Sequence, residues 1–264
     1  MARVFAGRKP GFVYTRVNNP TIARFEQRVN ALEGGVGAVA CASGMAAVSH
    51  AVLNILSQGD EILASGGLYG GTSSLFRDFA SYGIGVRYAA GDSVADFRAA
   101  LTERTRLIYI ETIGNPKLDV VDIAALSELA HAHGVPLFVD NTVTTPYLCQ
   151  PLALGADVVI HSTSKAINGN GNSIGGIVVS GGKFRWDAAR FPKLREYPFG
   201  PMSYLVRLRL RMVTDYGGRM APFNAYLTGI GLDTLALRLD RITANALALA
   251  ALFASECHWR DILA

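Results

Sequence analysis

The chain has 264 residues, half of them hydrophobic and 17% charged, enough for one large α/β domain or two small ones with a sizeable core. No run reaches the ~18 consecutive apolar residues of a membrane span, and 25 Lys+Arg against 21 Asp+Glu leave +4, dispersed except between Arg185 and Arg219, where a solvated or subunit-contact face is expected rather than a nucleic-acid surface. Cys41, Cys149 and Cys257 stand far apart with no C-x-x-C pair, so reduced, buried thiols are expected, and "MARVFAGRKPGFVYTR" lacks an apolar signal-peptide core, which makes the cytoplasm the expected compartment.

In chain order, "NPTIARFEQRVNALEGG" predicts a helix with Ile22, Phe25, Val29 and Leu32 on one face and a stop at Gly34. "VGAVAC" reads as a buried strand, and "SGMAAVSHAVLNILSQGD" as a helix opened by Ser43-Gly44 and closed by Gly59. A strand "EILAS" and a helix "GGTSSLFRDFASYG" follow. The strands "VRYAA", "TRLIYIE", "VPLFVDN", "DVVIHS" and "GGIVVS" come next, with helical "VADFRAALTE" and "DIAALSELAHAHG" between them. Short apolar strands separated by helices imply an α/β fold with a mostly parallel sheet covered on both faces.

After Gly182 the aromatic, proline-rich "FRWDAARFPKLREYPFGPMSY" is expected to be irregular. Helical stretches are then expected near Tyr204–Asp215, Met220–Thr228 and Asp233–Ala254. The last is long and rich in alanine and leucine, and leads to no further domain, so it reads as a connector. The expected division is an arm over 1–20, a ligand-binding domain over 21–231 and a connector helix over 232–264.

Lys165 and Asp140 carry the chemistry. Lys165 follows the strand "DVVIHS", where a turn can hold a primary amine in place; burial would keep it partly unprotonated, as a Schiff-base amine requires, against the alternative of an exposed loop lysine. Asp140 ends "PLFVD", and open parallel sheets bind ligands beyond the carboxyl ends of their strands. A metal ligand, a helix cap or an ion partner for a ligand cation all suit that position, and the absence of a nearby histidine–carboxylate cluster weakens the metal. A pyridoxal phosphate site asks for this pair, a lysine at the aldehyde carbon and an aspartate at the pyridinium nitrogen.

Ser43, Gly44 and Met45 open a helix, where free N–H groups favour an anion, although Ser-Gly is also a common plain cap; Ser162 and Ser164 add hydroxyls. Tyr69, between glycine pairs, is placed to stack on a flat cofactor or to be an ordinary core tyrosine. Asn115 before Pro116 is either a ligand amide or a simple turn. Gly169, Gly171 and Gly175 miss the dinucleotide G-x-G-x-x-G spacing.

The ordered set "YTRVNNPT", "ASGMAA", "LYGGT", "ETIGNP", "VDNTVTTPYLCQP", "HSTSK" and "GGIVVSGGKFRW" resembles the Cys/Met-metabolism pyridoxal-phosphate enzymes of fold type I over nearly the whole chain. Within them, "ETIGNPKLDVVDI", "GNGNSIGG", "GGKFRWDAARFPKL" and "MAPFNAYLTGIGLDTLALRLDRITANAL" are most similar to the O-acetylhomoserine sulfhydrylase branch of methionine biosynthesis.

The resemblance implies Lys165 as the Schiff-base lysine and general base, Asp140 as pyridinium partner, Tyr69 stacked on the ring and assisting proton transfer, and Asn115 at its phenolic oxygen. Ser43, Gly44, Met45, Ser162 and Ser164 would hold the phosphate. Tyr14 and Arg16 would reach the phosphate of a neighbouring subunit in a tetramer of paired dimers. The implied reaction is γ-replacement on O-acetylhomoserine by sulfide or a thiol, giving homocysteine or methionine. The alternatives are elimination by a cystathionine or methionine γ-lyase and a truncated, inactive chain that binds cofactor at most. Gly71 stands where methionine γ-lyases often carry a thiol, and Gly169-Asn170 stands where the family has glycine–histidine. The family's C-terminal domain, with its carboxylate-gripping arginine, has no counterpart here.

Overall fold

The computed structural model describes residues 11–256. The first helix, α1 (Pro20–Glu33), is opened by Asn19, whose side chain accepts the Thr21 and Ile22 N–H groups, and closed by Gly34 at φ +72°. Ile22, Phe25 and Val29 are buried as predicted, but Leu32 is exposed and the buried face carries Glu26 and Glu33 instead. Each carboxylate has partners in the fold: Glu26 accepts the Ala40 N–H, and Glu33 accepts from Asn141 and His161.

The sheet contains β1 (Gly37–Cys41), β2 (Glu61–Ala64), β3 (Gly85–Tyr88), β4 (Thr105–Glu111), β5 (Leu137–Asp140), β6 (Val158–His161) and β7 (Gly176–Ser180). Their spatial order is β1-β7-β6-β5-β4-β2-β3. The β2, β3, β4, β5 and β6 pairings are parallel, as expected, whereas β7 runs antiparallel to both β1 and β6. The reversal follows from the β6–β7 connection, which holds no crossover helix of the kind a parallel return needs. Successive residues feed opposite faces: Phe138 joins a cluster with Val48, Phe76, Tyr109 and Tyr204, while Val139 joins Phe25, Leu126 and Ile177.

The remaining helices are α2 (Gly44–Leu53), α3 (Gly70–Asp78), α4 (Val94–Ala100), α5 (Ile123–Ala132), α6 (Thr145–Leu148), α7 (Ser203–Arg207), α8 (Pro222–Asp233) and α9 (Leu235–Glu256). Helix α2 ends well before Gly59, because Asn54 is pulled into the core: its amide donates to Tyr204 O, and Arg207 donates to its carbonyl and side-chain oxygens. The stretch expected to be one helix from Tyr204 divides into α7 and a π-helical turn, Leu208–Val213.

The aromatic segment after Gly182 is irregular as expected, and it packs by its rings. Trp186 stacks on Tyr204 with centroids 5.0 Å apart, and Phe184 and Phe191 meet Trp186 edge-on. Cys41 is buried as expected, but Cys149 is only half-buried; Cys257 lies outside the described residues. Helix α9 leaves Leu237, Ile242, Leu247 and Leu249 exposed. Among the described residues no helix is long and apolar enough to cross a membrane.

Phe138 is fully buried and meets the Tyr204 ring edge-on. Phe138→Ala is expected to cost ~3–5 kcal/mol in urea unfolding, whereas Leu32→Ala on the exposed edge of α1 is expected to stay within ~0.5 kcal/mol. Equal losses would contradict the assignment of these two faces.

Candidate active site

The register of the parallel strands builds the site. Glu111 at the end of β4 stands opposite Asp140 at the end of β5, and Asp140 stands opposite Ile160 of β6. Five residues beyond Ile160, Lys165 extends from the turn that follows β6. With the N-terminus of α2, Glu111, Asp140 and Lys165 border a cavity of about 360 Å³. Lys165, Asp140, Tyr69, Asn115, Ser43, Gly44, Met45, Ser162 and Ser164 all line it. Tyr14 and Arg16 do not: Arg16 donates to Thr214 O, and its guanidinium lies 5.2 Å from the Tyr14 ring centroid.

Asp140 lies inside the protein with one edge open to the cavity. Its Oδ1 accepts the Thr142 N–H at 3.0 Å and the Thr142 hydroxyl, while the Tyr109 hydroxyl approaches Oδ2 at 3.5 Å. Burial pushes the Asp140 carboxyl up, and the Thr142 donors oppose the rise. A cationic N–H at Oδ2 would relieve the same strain more fully.

Glu111, which the sequence reading missed, also lines the cavity. Burial, and then the charge of Asp140, push its carboxyl up to about 8, although Oε1 accepts the Tyr69 N–H at 2.7 Å. The rule that singled out Asp140, a carboxylate at the end of an apolar strand, applies equally to "LIYIE" and would have found it. Thr142 was missed as well; a hydroxyl two residues past Asp140 was the available signal.

Lys165 is exposed, the second of the two placements that its sequence position left open. Its turn is fixed by backbone bonds, Asn168 N–H to Thr163 O at 3.0 Å and Gly169 N–H to Lys165 O at 2.9 Å. At the anion end, Ser43 accepts the Ala46 N–H and caps α2, which leaves the first-turn N–H groups of Gly44 and Met45 directed outward. Gly44 permits this closeness: a Cβ there would stand 2.6 Å from the Ser162 Cβ. The Ser164 hydroxyl is held by Gly175, accepting its N–H at 3.0 Å and donating to its carbonyl at 3.2 Å.

Tyr69 precedes α3 and is half-exposed, with its ring over Gly71, where a Cβ would stand 2.5 Å from the ring Cε1. Asn115 is exposed, and its N–H donates to Gly67 O at 2.9 Å. Below the turn, His161 donates through Nε2 to Glu33 Oε1 at 2.6 Å, and Asn141 donates to the same oxygen at 3.0 Å. These bonds tie α1 to the ends of β5 and β6.

A helix-end anion cradle, a buried carboxylate met by hydroxyls and a backbone N–H, and an exposed amine on one cavity wall fit the phosphate, ring nitrogen and aldehyde of pyridoxal phosphate. Among the described residues no group of three or more His, Cys, Asp and Glu is arranged to hold a metal ion.

Comparison with known proteins points to the same cofactor. The family model for the Cys/Met metabolism PLP-dependent enzymes matches residues 1–262. An O-acetyl-L-homoserine sulfhydrylase of Leptospira meyeri is 43% identical over 94% of this chain and 61% of its own length. An O-succinylhomoserine sulfhydrylase of Pseudomonas aeruginosa is 44% identical over 93% of this chain and 56% of its own length. A Campylobacter jejuni structure carrying N'-pyridoxyl-lysine-5'-monophosphate superposes with a TM-score of 0.89 at 30% identity, covering 97% of this chain and 67% of that one. The chain spans about three-fifths of the length of the curated relatives it matches.

Because the folded-state value of Glu111 lies near 8 and the ordinary one near 4.5, the folded chain binds the extra proton between them. The contribution of Glu111 to stability is therefore full below about pH 4.5 and is lost as pH rises toward 8. Urea unfolding at pH 5 and pH 8 is expected to give Glu111→Gln a loss smaller than wild type by on the order of a few kcal/mol. Identical pH slopes would refute the coupling.

Proposed function

The chain belongs to the Cys/Met-metabolism PLP-dependent enzymes, and from that premise we propose that it catalyses γ-replacement on an O-acylated homoserine. Sulfide or a thiol displaces the acyl-oxygen group at Cγ to give homocysteine or methionine. The single observation that carries this reading is the convergence of Lys165, Asp140 and the α2 N-terminus on one cavity. The names of the sulfhydrylase relatives support the choice of reaction, and their differing acyl groups leave acetyl and succinyl as the two candidates.

In this reading the Lys165 amine holds the cofactor at its aldehyde carbon, Asp140 accepts the ring N–H, and the Gly44 and Met45 N–H groups with the Ser162 hydroxyl hold the phosphate. When bound, pyridoxal phosphate supplies an electron sink for charge that develops at the substrate Cα and Cβ. Lys165, exposed to the cavity, moves the protons at those two carbons. Tyr69, half-exposed beside Gly71, stacks on the ring and assists the transfer. Glu111 tethers the Tyr69 backbone and so sets where that ring sits. Asn115 faces the phenolic oxygen.

The proposed arrangement extends to the whole protein. Residues 21–231 form the cofactor domain, with an arm before them and α9 leading onward as a connector. Tyr14 and Arg16 lie away from their own cavity, which suits a role at a neighbouring subunit's phosphate in a cytoplasmic tetramer.

Purified chain mixed with pyridoxal phosphate is expected to absorb in the visible and, after borohydride reduction, to gain the mass of one phosphopyridoxyl group. Lys165→Ala is expected to do neither while keeping its circular dichroism. A chain that stays colourless sinks the reading. In turnover, O-acetylhomoserine or O-succinylhomoserine with sulfide should yield homocysteine; ammonia and a keto acid alone would reject replacement.

A further inference from the structure

Glu111 and Asp140 stand opposite each other in the register of β4 and β5 and line the same cavity. Glu111 is only 7% exposed, and among the described residues neither carboxylate has an ion-pair partner. Two buried carboxylates in one site do not both ionise cheaply, so the pair holds a proton.

Their hydrogen bonds decide where that proton sits. Asp140 Oδ1 accepts both the N–H and the hydroxyl of Thr142, and the Tyr109 hydroxyl approaches Oδ2. Glu111 accepts one bond, the Tyr69 N–H at Oε1. Donors favour the ionised form, so Asp140 keeps the charge and Glu111 keeps the proton. The other groups nearby do not reverse this order. Asp119, in the loop after β4, adds negative charge, and Tyr69 offers Glu111 only its backbone. Lys165, the one basic side chain in the cavity lining, is exposed. The rise of the Glu111 carboxyl to about 8 agrees with the same order.

A cation at Asp140 changes the balance. Glu111 is already buried, so a ligand that fills the cavity removes little more water from it. A cationic N–H at Asp140 Oδ2 offsets the charge that holds the proton on Glu111. The empty site then has Asp140 ionised and Glu111 protonated, and the filled site has both ionised beside one cation. A single net negative charge is kept in each state, and one proton leaves Glu111 for the solvent. We propose that Glu111 is the proton-releasing partner of cofactor capture, giving up its proton as the cationic ring nitrogen of pyridoxal phosphate docks at Asp140. This rests on the placing of the cofactor in this cavity and not on the choice of reaction.

The test is calorimetry of pyridoxine 5'-phosphate binding at pH 7 in two buffers of different ionisation enthalpy, which counts the protons exchanged. This probe has an alcohol where the cofactor has its aldehyde, so it forms no bond to Lys165. Protons exchanged by the probe itself are common to wild type and Glu111→Gln and cancel in the difference. Wild type is expected to release up to about one proton more per bound probe than the variant. Release favours binding at higher pH, so the wild-type dissociation constant is expected to fall relative to the variant's by up to about tenfold per pH unit as pH rises toward 8. Infrared difference spectra need no variant: the un-ionised carboxyl band of wild type is expected to weaken when the probe binds. Equal proton counts in the two proteins, or an unchanged carboxyl band, overturn the proposal and leave the cofactor site standing. A wild type that does not bind the probe overturns both.

Discussion

Parallel, in-register pairing of β4, β5 and β6 is the constraint on which the site depends. It lines up Glu111, Asp140 and Ile160 in one row across the sheet. Every parallel strand delivers its carboxyl end to the same edge, so residues far apart in sequence arrive together without any of them having to bind another. A slip of one residue in β5 would turn Asp140 to the other face and replace it with Val139 or Asn141. Side chains buried on both faces of the sheet hold the register against such a slip.

That row also sets the electrostatics. Burial raises the cost of ionising both carboxylates on these adjacent strand ends, and the charge of Asp140 adds to that of Glu111. Asp140 is steadied by Thr142, Glu111 by the Tyr69 N–H. Asp140 thus offers Oδ2 at the cavity floor, while the α2 N-terminus presents N–H groups at another wall. A zwitterionic cofactor with a cationic ring nitrogen and an anionic phosphate answers both. The Glu33–His161–Asn141 bonds beneath keep the Lys165 turn and the end of β5 fixed to α1.

The strands, and the placing of Asp140 and Lys165 beyond strand ends, were legible because apolar runs bounded by turn residues mark them, although the local pattern left the roles of both residues open. What escaped was set by long-range contacts. Leu32 has the right helical spacing for the core, yet Glu33 takes the buried place because His161 and Asn141 wait across the interface. The early end of α2 depends on Tyr204 and Arg207, which arrive from far along the chain. The reversal of β7 depends on a connection whose lack of a helix was visible but was not used. Glu111 was readable by the reasoning applied to Asp140, and it was missed because its strand continues into a loop already assigned to Asn115.

The central claim is that Asp140 meets a cationic ring nitrogen. Nitrogen NMR of the chain loaded with pyridoxal phosphate labelled at that nitrogen tests it directly. A protonated pyridinium signal in the wild type, moved to the unprotonated range in Asp140→Ala, is the expected result. An unprotonated ring in the wild type, or the same signal in both proteins, would contradict the account.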